Sequence, residues 1–151
     1  MAYVDVLQGE IVKVSKIMSA PVVTVKMDDN LYRVHEIFQK HKFHHVLVVD
    51  GKTLLGVISD RDLLKAVSAR IGSNSADARD MASFQKKVYQ IMSRNLITIN
   101  LNDSVLQAVR LFNRHAISCL PVVDDNKHWV GILSWRDIFR QIEKMKDSRA
   151  S

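Results

Sequence analysis

Two stretches of this chain carry the same chemistry-bearing residues at the same spacing. Gly56-Val57-Ile58-Ser59-Asp60-Arg61-Asp62 and Gly131-Ile132-Leu133-Ser134-Trp135-Arg136-Asp137 share a leading glycine, two apolar β-formers and a closing Ser-x-Arg-Asp. Such a pattern reads as a strand that turns into a helix, with the serine as N-cap and the aspartate in the first helical turn. One reading is self-contained: a capping box, in which Ser and Asp satisfy each other's backbone N–H groups. The other is a ligand site. A helix N-terminus offers unpaired N–H groups and partial positive charge to an anion. The hydroxyl adds a donor, and the carboxylate can accept from two vicinal hydroxyls, as an acidic residue does on a ribose. A lone S-x-x-D favours capping. Its recurrence inside a longer repeat is what argues for a ligand.

The other reactive residues point away from catalysis. Six histidines are present, none with the spacing of H-E-x-x-H. His41, His44 and His45 cluster, but no cysteine or carboxylate stands beside them at a ligand spacing. There is no phosphate-binding glycine loop and no nucleophile elbow. Asp28-Asp29 reads as N-cap chemistry rather than acid–base machinery. The single cysteine, Cys119, lies between Ser118 and Leu120 in an expected strand, where a buried small hydrophobe is the reading. The chain is therefore expected not to be an enzyme and to hold neither metal nor cofactor. One cysteine rules out an internal disulfide and fits a reducing, cytoplasmic compartment. The N-terminus lacks the basic start and apolar core of a secretory signal, and no apolar run is long enough to span a membrane.

The 151 residues suit one domain, or two small units that fold together. Apolar residues make up 47% and charged residues 25%, as in soluble globular proteins. The net charge of +6 and pI near 9.6 favour anionic partners, nucleotides or nucleic acid. The positive charges are spread out, with no run of five and no aromatic–basic interleaving. A soluble basic surface explains them at least as well as nucleic-acid binding does.

The elements that must position the two phrases follow from periodicity. Glu10 to Val14 reads as a short strand or approach segment. After Pro21 the run Val22-Val23-Thr24-Val25 predicts a strand. Asp28-Asp29-Asn30 caps a helix carrying Leu31, Val34, Ile37 and Phe38 on one face. Phe43 to Asp50 and Leu54 to Ser59 are strands joined by a tight Asp50-Gly51 turn. Asp60 to about Ala69 is a helix. Ile71 to Ser75 is a loop, and Ala76 to Tyr89 a helix or one broken near Ser83. In the second half, Asn102-Asp103-Ser104 caps a helix with Val105, Ala108, Val109 and Phe112 on one face. Ile117 to Asp124 and Trp129 to Ser134 are strands. Trp135 to about Lys146 is the last helix, and Asp147 to Ser151 should fray.

The halves are copies. Ile17-Met18-Ser19 meets Ile91-Met92-Ser93, Thr24 meets Thr98, Phe38 meets Phe112 and His41 meets His115, an offset of 74 that becomes 75 after the turn. Agreement of core, caps and turn together marks an internal duplication. Each copy reads β-α-β-β-α, an α/β (α+β) unit too small to bury its own sheet. The two are expected to pack face to face about a pseudo-two-fold axis.

With its Ile-Met-Ser opening, capped helix, apolar-Val-Val-Asp strand and Gly-apolar-apolar-Ser-x-x-Asp phrase, each half resembles a CBS domain. The resemblance to a tandem pair (a Bateman module) covers about residues 10–145: repeat one at 10–69, a connector at 70–89 and repeat two at 90–146. It implies two composite clefts for adenine nucleotides or adenosyl ligands: AMP, ADP, ATP or S-adenosylmethionine. One cleft would use Ser134 and Asp137 with Met18, Val23 and Phe43. The other would use Ser59 and Asp62 with Met92, Ile97 and Ile117. Basic residues just before the middle strand meet phosphate in this family. Here they are His44 and His45, against Ser118 and Cys119 in repeat two, and Arg61 and Arg136 are further phosphate candidates. Two departures stand out. Leu47 replaces the usual proline, seen as Pro121, and Trp135 replaces the polar residue seen as Asp60. The resemblance implies a non-enzymatic regulatory module, commonly a homodimer, acting on a partner the sequence does not reveal. The alternatives are a protein-interaction module with no small ligand and a nucleic-acid-binding protein.

Overall fold

A computed structural model describes residues 12–67 and 78–150. Its elements in chain order are α1 (Val14–Ile17), β1 (Thr24–Val25), α2 (Leu31–Lys40), β2 (His45–Asp50), β3 (Thr53–Ser59), α3 (Asp60–Ala66), α4 (Ala78–Ala82), β4 (Ile99–Asn100), α5 (Val105–Arg114), β5 (Cys119–Val123), β6 (Trp129–Ser134) and α6 (Trp135–Ala150). Short 3-10 turns at Ser83–Gln85 and Val88–Gln90 follow α4, so the connector helix does break at Ser83. Each repeat forms one three-stranded sheet. β1 runs parallel to β2, which pairs antiparallel with β3; β4, β5 and β6 repeat this order.

The helices form where the apolar spacing placed them. α2 buries Leu31, Val34 and Ile37, and Asn30 Oδ1 accepts from Arg33 N at 3.1 Å to cap it. α5 buries Val105, Ala108 and Phe112 behind a Ser104 cap, whose Oγ accepts from Gln107 N at 3.2 Å. Both end at a histidine, His41 or His115, whose N–H bonds the carbonyl four residues back. The tight turn at Gly51 uses its positive φ of 57°, which a side chain would resist.

Three expectations are adjusted. Glu10 and Ile11 lie outside the described residues, and the approach segment turns helical at Val14 instead of continuing as a strand. The expected strands beginning at Phe43 and Ile117 start two residues later, at His45 and Cys119. The C-terminal tail stays helical to Ala150, because no glycine or proline interrupts it and Lys144 and Lys146 suit the negative end of the helix dipole. The expected extension of α3 to Ala69 and the loop from Ile71 to Ser75 lie outside the described residues.

The chain forms two compact units that do not follow the repeats. One comprises Val23–Leu96. The other combines the described residues up to Val22 with those from Ile97 onward. The stretch before each repeat's first strand therefore belongs to the other repeat's sheet. In the first unit Phe84, Val88 and Met92 join the core built by Leu31, Val34, Val46, Val48 and Ile58. In the second, Val14 joins Ile99, Val105, Phe112, Leu120, Val122 and Leu133. Matching backbone bonds hold both segments. Val88 N donates to Asp29 O and Val14 N to Asp103 O, each at 2.8 Å. Ser93 exchanges two hydrogen bonds with Val57, and Ser19 two with Ile132.

Candidate functional site

The two glycine-led phrases owe their glycines to these crossing segments. A Cβ on Gly56 would lie 2.8 Å from Met92 Sδ and 3.0 Å from Ser93 O. On Gly131 it would lie 2.8 Å from Met18 Sδ and 2.9 Å from Ser19 O. Glycine thus lets the Ile-Met-Ser opening lie directly on the strand that leads into the Ser–Asp turn. This brings Met92 to the strand that carries Ser59, and Met18 to the strand that carries Ser134.

In the first unit Ser59 caps α3 in a reciprocal box. Asp62 N donates to Ser59 Oγ at 3.1 Å, and Ser59 N donates to Asp62 Oδ2 at 2.9 Å. The capping reading is therefore realised, and it employs a single carboxylate oxygen. Beside it the β2 strand begins at His45, the cross-strand partner of Ser59. His44 Nδ1 and Asp60 Oδ2 are 2.9 Å apart, and Asp60 N donates to His44 O. Burial pushes the His45 imidazole below its ordinary pKa of 6.5, and neighbouring His44 lowers it further against the attraction of Asp60 and Asp62. The first unit thus gathers Ser59, Asp62, Met92, His44 and His45, with Arg61 exposed on the helix.

In the second unit the same turn is more heavily bonded. Ser134 N donates to Asp137 Oδ2 at 2.8 Å, and Ser134 Oγ donates to the same oxygen at 3.1 Å. Asp137 N reaches Ser134 Oγ at 3.4 Å. The other carboxylate oxygen, Oδ1, accepts from Ser19 Oγ at 3.4 Å and faces Arg140 Nη1 at 3.6 Å. Asp137 is only 7% exposed. Trp135 stands where the first unit has Asp60 and packs edge-on to Phe112, ring centroids 6.0 Å apart. Arg136 is exposed.

Four residues that the resemblance groups with these pairs sit in the opposite unit from their pair. Val23 packs against the core of the unit that holds Ser59, and Phe43 stacks on His41 there at 4.9 Å. Ile97 and Ile117 pack against the core of the unit that holds Ser134. Reasoning from sequence missed the Asp60 partner of His44 and the Ser19 and Arg140 contacts of Asp137. Ser19 was visible in the repeated opening, but repetition alone does not reveal which serine reaches a carboxylate. Among the described residues no group of three His, Cys, Asp or Glu could hold a metal ion, and no helix is long and apolar enough to cross a membrane. Cys119 is buried.

Comparison with known proteins agrees with the duplicated geometry. The family model for the CBS domain matches residues 14–69 and 88–144. Homoserine O-acetyltransferase of Methanocorpusculum labreanum is 33% identical over 112 residues, 74% of this chain and 20% of its own length. L-aspartate semialdehyde sulfurtransferase of Methanocaldococcus jannaschii is 31% identical over 136 residues, 89% of this chain and 24% of its own length. The chain thus spans a quarter or less of these two relatives. Among solved structures, the CBS domain pair of protein MJ0100 in complex with 5′-methylthioadenosine and S-adenosyl-L-methionine superposes with a TM-score of 0.73 at 29% identity, covering 89% of this chain and 98% of that one. The CBS domain of a CBS domain-containing membrane protein from Sphaerobacter thermophilus gives a TM-score of 0.78 at 27% identity, covering 93% and 94%.

Proposed function

The chain belongs to the CBS domain family, in two tandem copies, and on that premise we propose that it is a regulatory module that binds an adenine nucleotide or adenosyl ligand and is not itself an enzyme. The carrying observation is the duplicated Ser–Asp turn. Each copy holds a hydroxyl and a first-turn carboxylate on a strand end braced by a methionine, which is the donor and acceptor set a ribose calls for. The adenosyl ligands held by the MJ0100 pair support this ligand class. The imidazoles of His44 and His45 beside Ser59, with Arg61 and Arg136 on the two helices, favour a phosphorylated ligand, so AMP, ADP or ATP ranks ahead of S-adenosylmethionine at the Ser59 turn. The module acts in the cytoplasm as a homodimer, and ligand changes the behaviour of a partner protein by favouring one of two conformations.

A second reading is an interaction module with no small ligand. It is favoured by the closed capping boxes, which give both aspartates a structural task. Titration calorimetry with AMP, ATP and S-adenosylmethionine separates the two. On the ligand reading, wild-type protein binds at least one of them saturably, and Asp62→Ala or Asp137→Ala abolishes that binding. On the interaction reading none binds, and each substitution costs only about 1 kcal/mol of stability through the lost cap.

A further inference from the structure

Asp62 and Asp137 hold matching positions but not matching surroundings. Among the described residues, Asp62 is bonded only within its own turn, through Oδ2. Asp137 has both oxygens engaged, Oδ2 by its cap and Oδ1 by the Ser19 hydroxyl with Arg140 beside it. Ser93 is the counterpart of Ser19. It makes the same paired backbone bonds to the neighbouring strand but none to Asp62. Ser19 is therefore an added contact of one copy, not a shared requirement of the fold.

From this we infer that Ser19 is a built-in competitor at the Asp137 site: its hydroxyl occupies the carboxylate oxygen that a ligand's ribose hydroxyl must take. The inference rests on the reading of Asp137 as a ribose acceptor. At 3.4 Å the Ser19 bond is long for O–H···O. A ligand hydroxyl at normal distance displaces it, but at a cost the Asp62 site does not bear. Asp137 is nearly enclosed, so an incoming hydroxyl reaches Oδ1 through the space that the Ser19 hydroxyl and Arg140 flank. Displacement is confined to the side chain. The paired backbone bonds of Ser19 to Ile132 do not involve its hydroxyl, so a ligand at Asp137 costs Ser19 only its side-chain contact, whereas a ligand at Asp62 has no such contact of Ser93 to displace.

The test is the affinity for AMP in the full chain carrying Asp62→Ala, so that the Asp137 site is the one read. Adding Ser19→Ala should tighten AMP binding about three- to tenfold, the range for releasing one competing hydrogen bond. Ser19→Thr, which keeps the hydroxyl, should hold the starting affinity, and Ser93→Ala should change nothing. The 2′,3′-dideoxy form of AMP, which lacks the competing hydroxyls, should bind equally with and without Ser19. Unchanged or weakened AMP binding in Ser19→Ala overturns the competition, as does an equal gain for the dideoxy compound. AMP that binds the Asp62→Ala chain but is insensitive to Asp137→Ala overturns the ribose reading of Asp137 itself, a different failure with a different signature.

Discussion

At the scale of single residues, the glycines are the sharpest constraint on the site. Gly56 and Gly131 each face a sulfur, which can swing aside, and a backbone carbonyl, which cannot. Gly131→Ala should therefore cost about 1–3 kcal/mol, the usual range for overpacking, read as a lowered urea midpoint at unchanged slope. Pairing it with Met18→Ala should recover only part of that loss, because Ser19 O remains 2.9 Å from the new methyl. His45 gives a second handle. Its imidazole is held below 6.5 chiefly by burial, so the folded chain takes up the proton less readily than the unfolded one. Its stabilising contribution is complete above pH 6.5 and is lost as pH falls below that value toward the folded-state pKa. Chemical denaturation between about pH 7.5 and 5.5 should show a decline in stability that His45→Gln flattens. The serines, aspartates and histidines of the turn were legible because their types and spacing repeat. The contacts that distinguish Asp137 from Asp62 were not, since Ser19 lies 118 positions from its partner and only the folded chain joins them.

At the scale of elements, the order β-α-β-β-α, the caps at Asn30 and Ser104 and the buried faces of α2 and α5 all follow from local pattern. The exchange of leading segments does not. Val14 looks like part of the repeat it precedes, yet it is fully buried in the other repeat's core, as Val88 is in the first unit. Periodicity shows which residues are apolar, not which sheet they cover. Val14→Ala should thus cost about 1.5–3 kcal/mol, the scale of burying a valine, matching Val122→Ala in the middle strand rather than a substitution in a loose terminus. One departure in sequence has a visible effect on the sheets. β1 pairs Thr24 with Leu47, but β4 begins one position further along and pairs Ile99 with Val122, clear of Pro121. Proline carries no N–H to donate, so the short ladder forms beside it rather than on it.

At the scale of the whole molecule, duplication has left both repeats with an apolar residue that neither folds away. Leu64 on α3 and Phe139 on α6 occupy equivalent positions and are 72% and 62% exposed, and Trp135, one turn before Phe139, is also exposed. Single exposed hydrophobics need no explanation, but the same helix position left apolar and uncovered in both copies gives each repeat its own contact for the proposed homodimer. The net charge of +6 is no obstacle to self-association at physiological salt, where charges beyond about 8 Å are screened. A homodimer held through these helices predicts that sedimentation velocity finds the wild-type chain as a dimer. Leu64→Glu with Phe139→Glu should convert it to a monomer, because a buried, unpaired carboxylate at each position opposes association. The same pair should shift monomer stability by no more than about 0.5 kcal/mol per site, as surface substitutions do. A wild-type chain that sediments as a monomer at every concentration would remove the dimer and leave ligand binding to be judged on the two turns alone. A dimer indifferent to both substitutions would move the interface to another face of the chain.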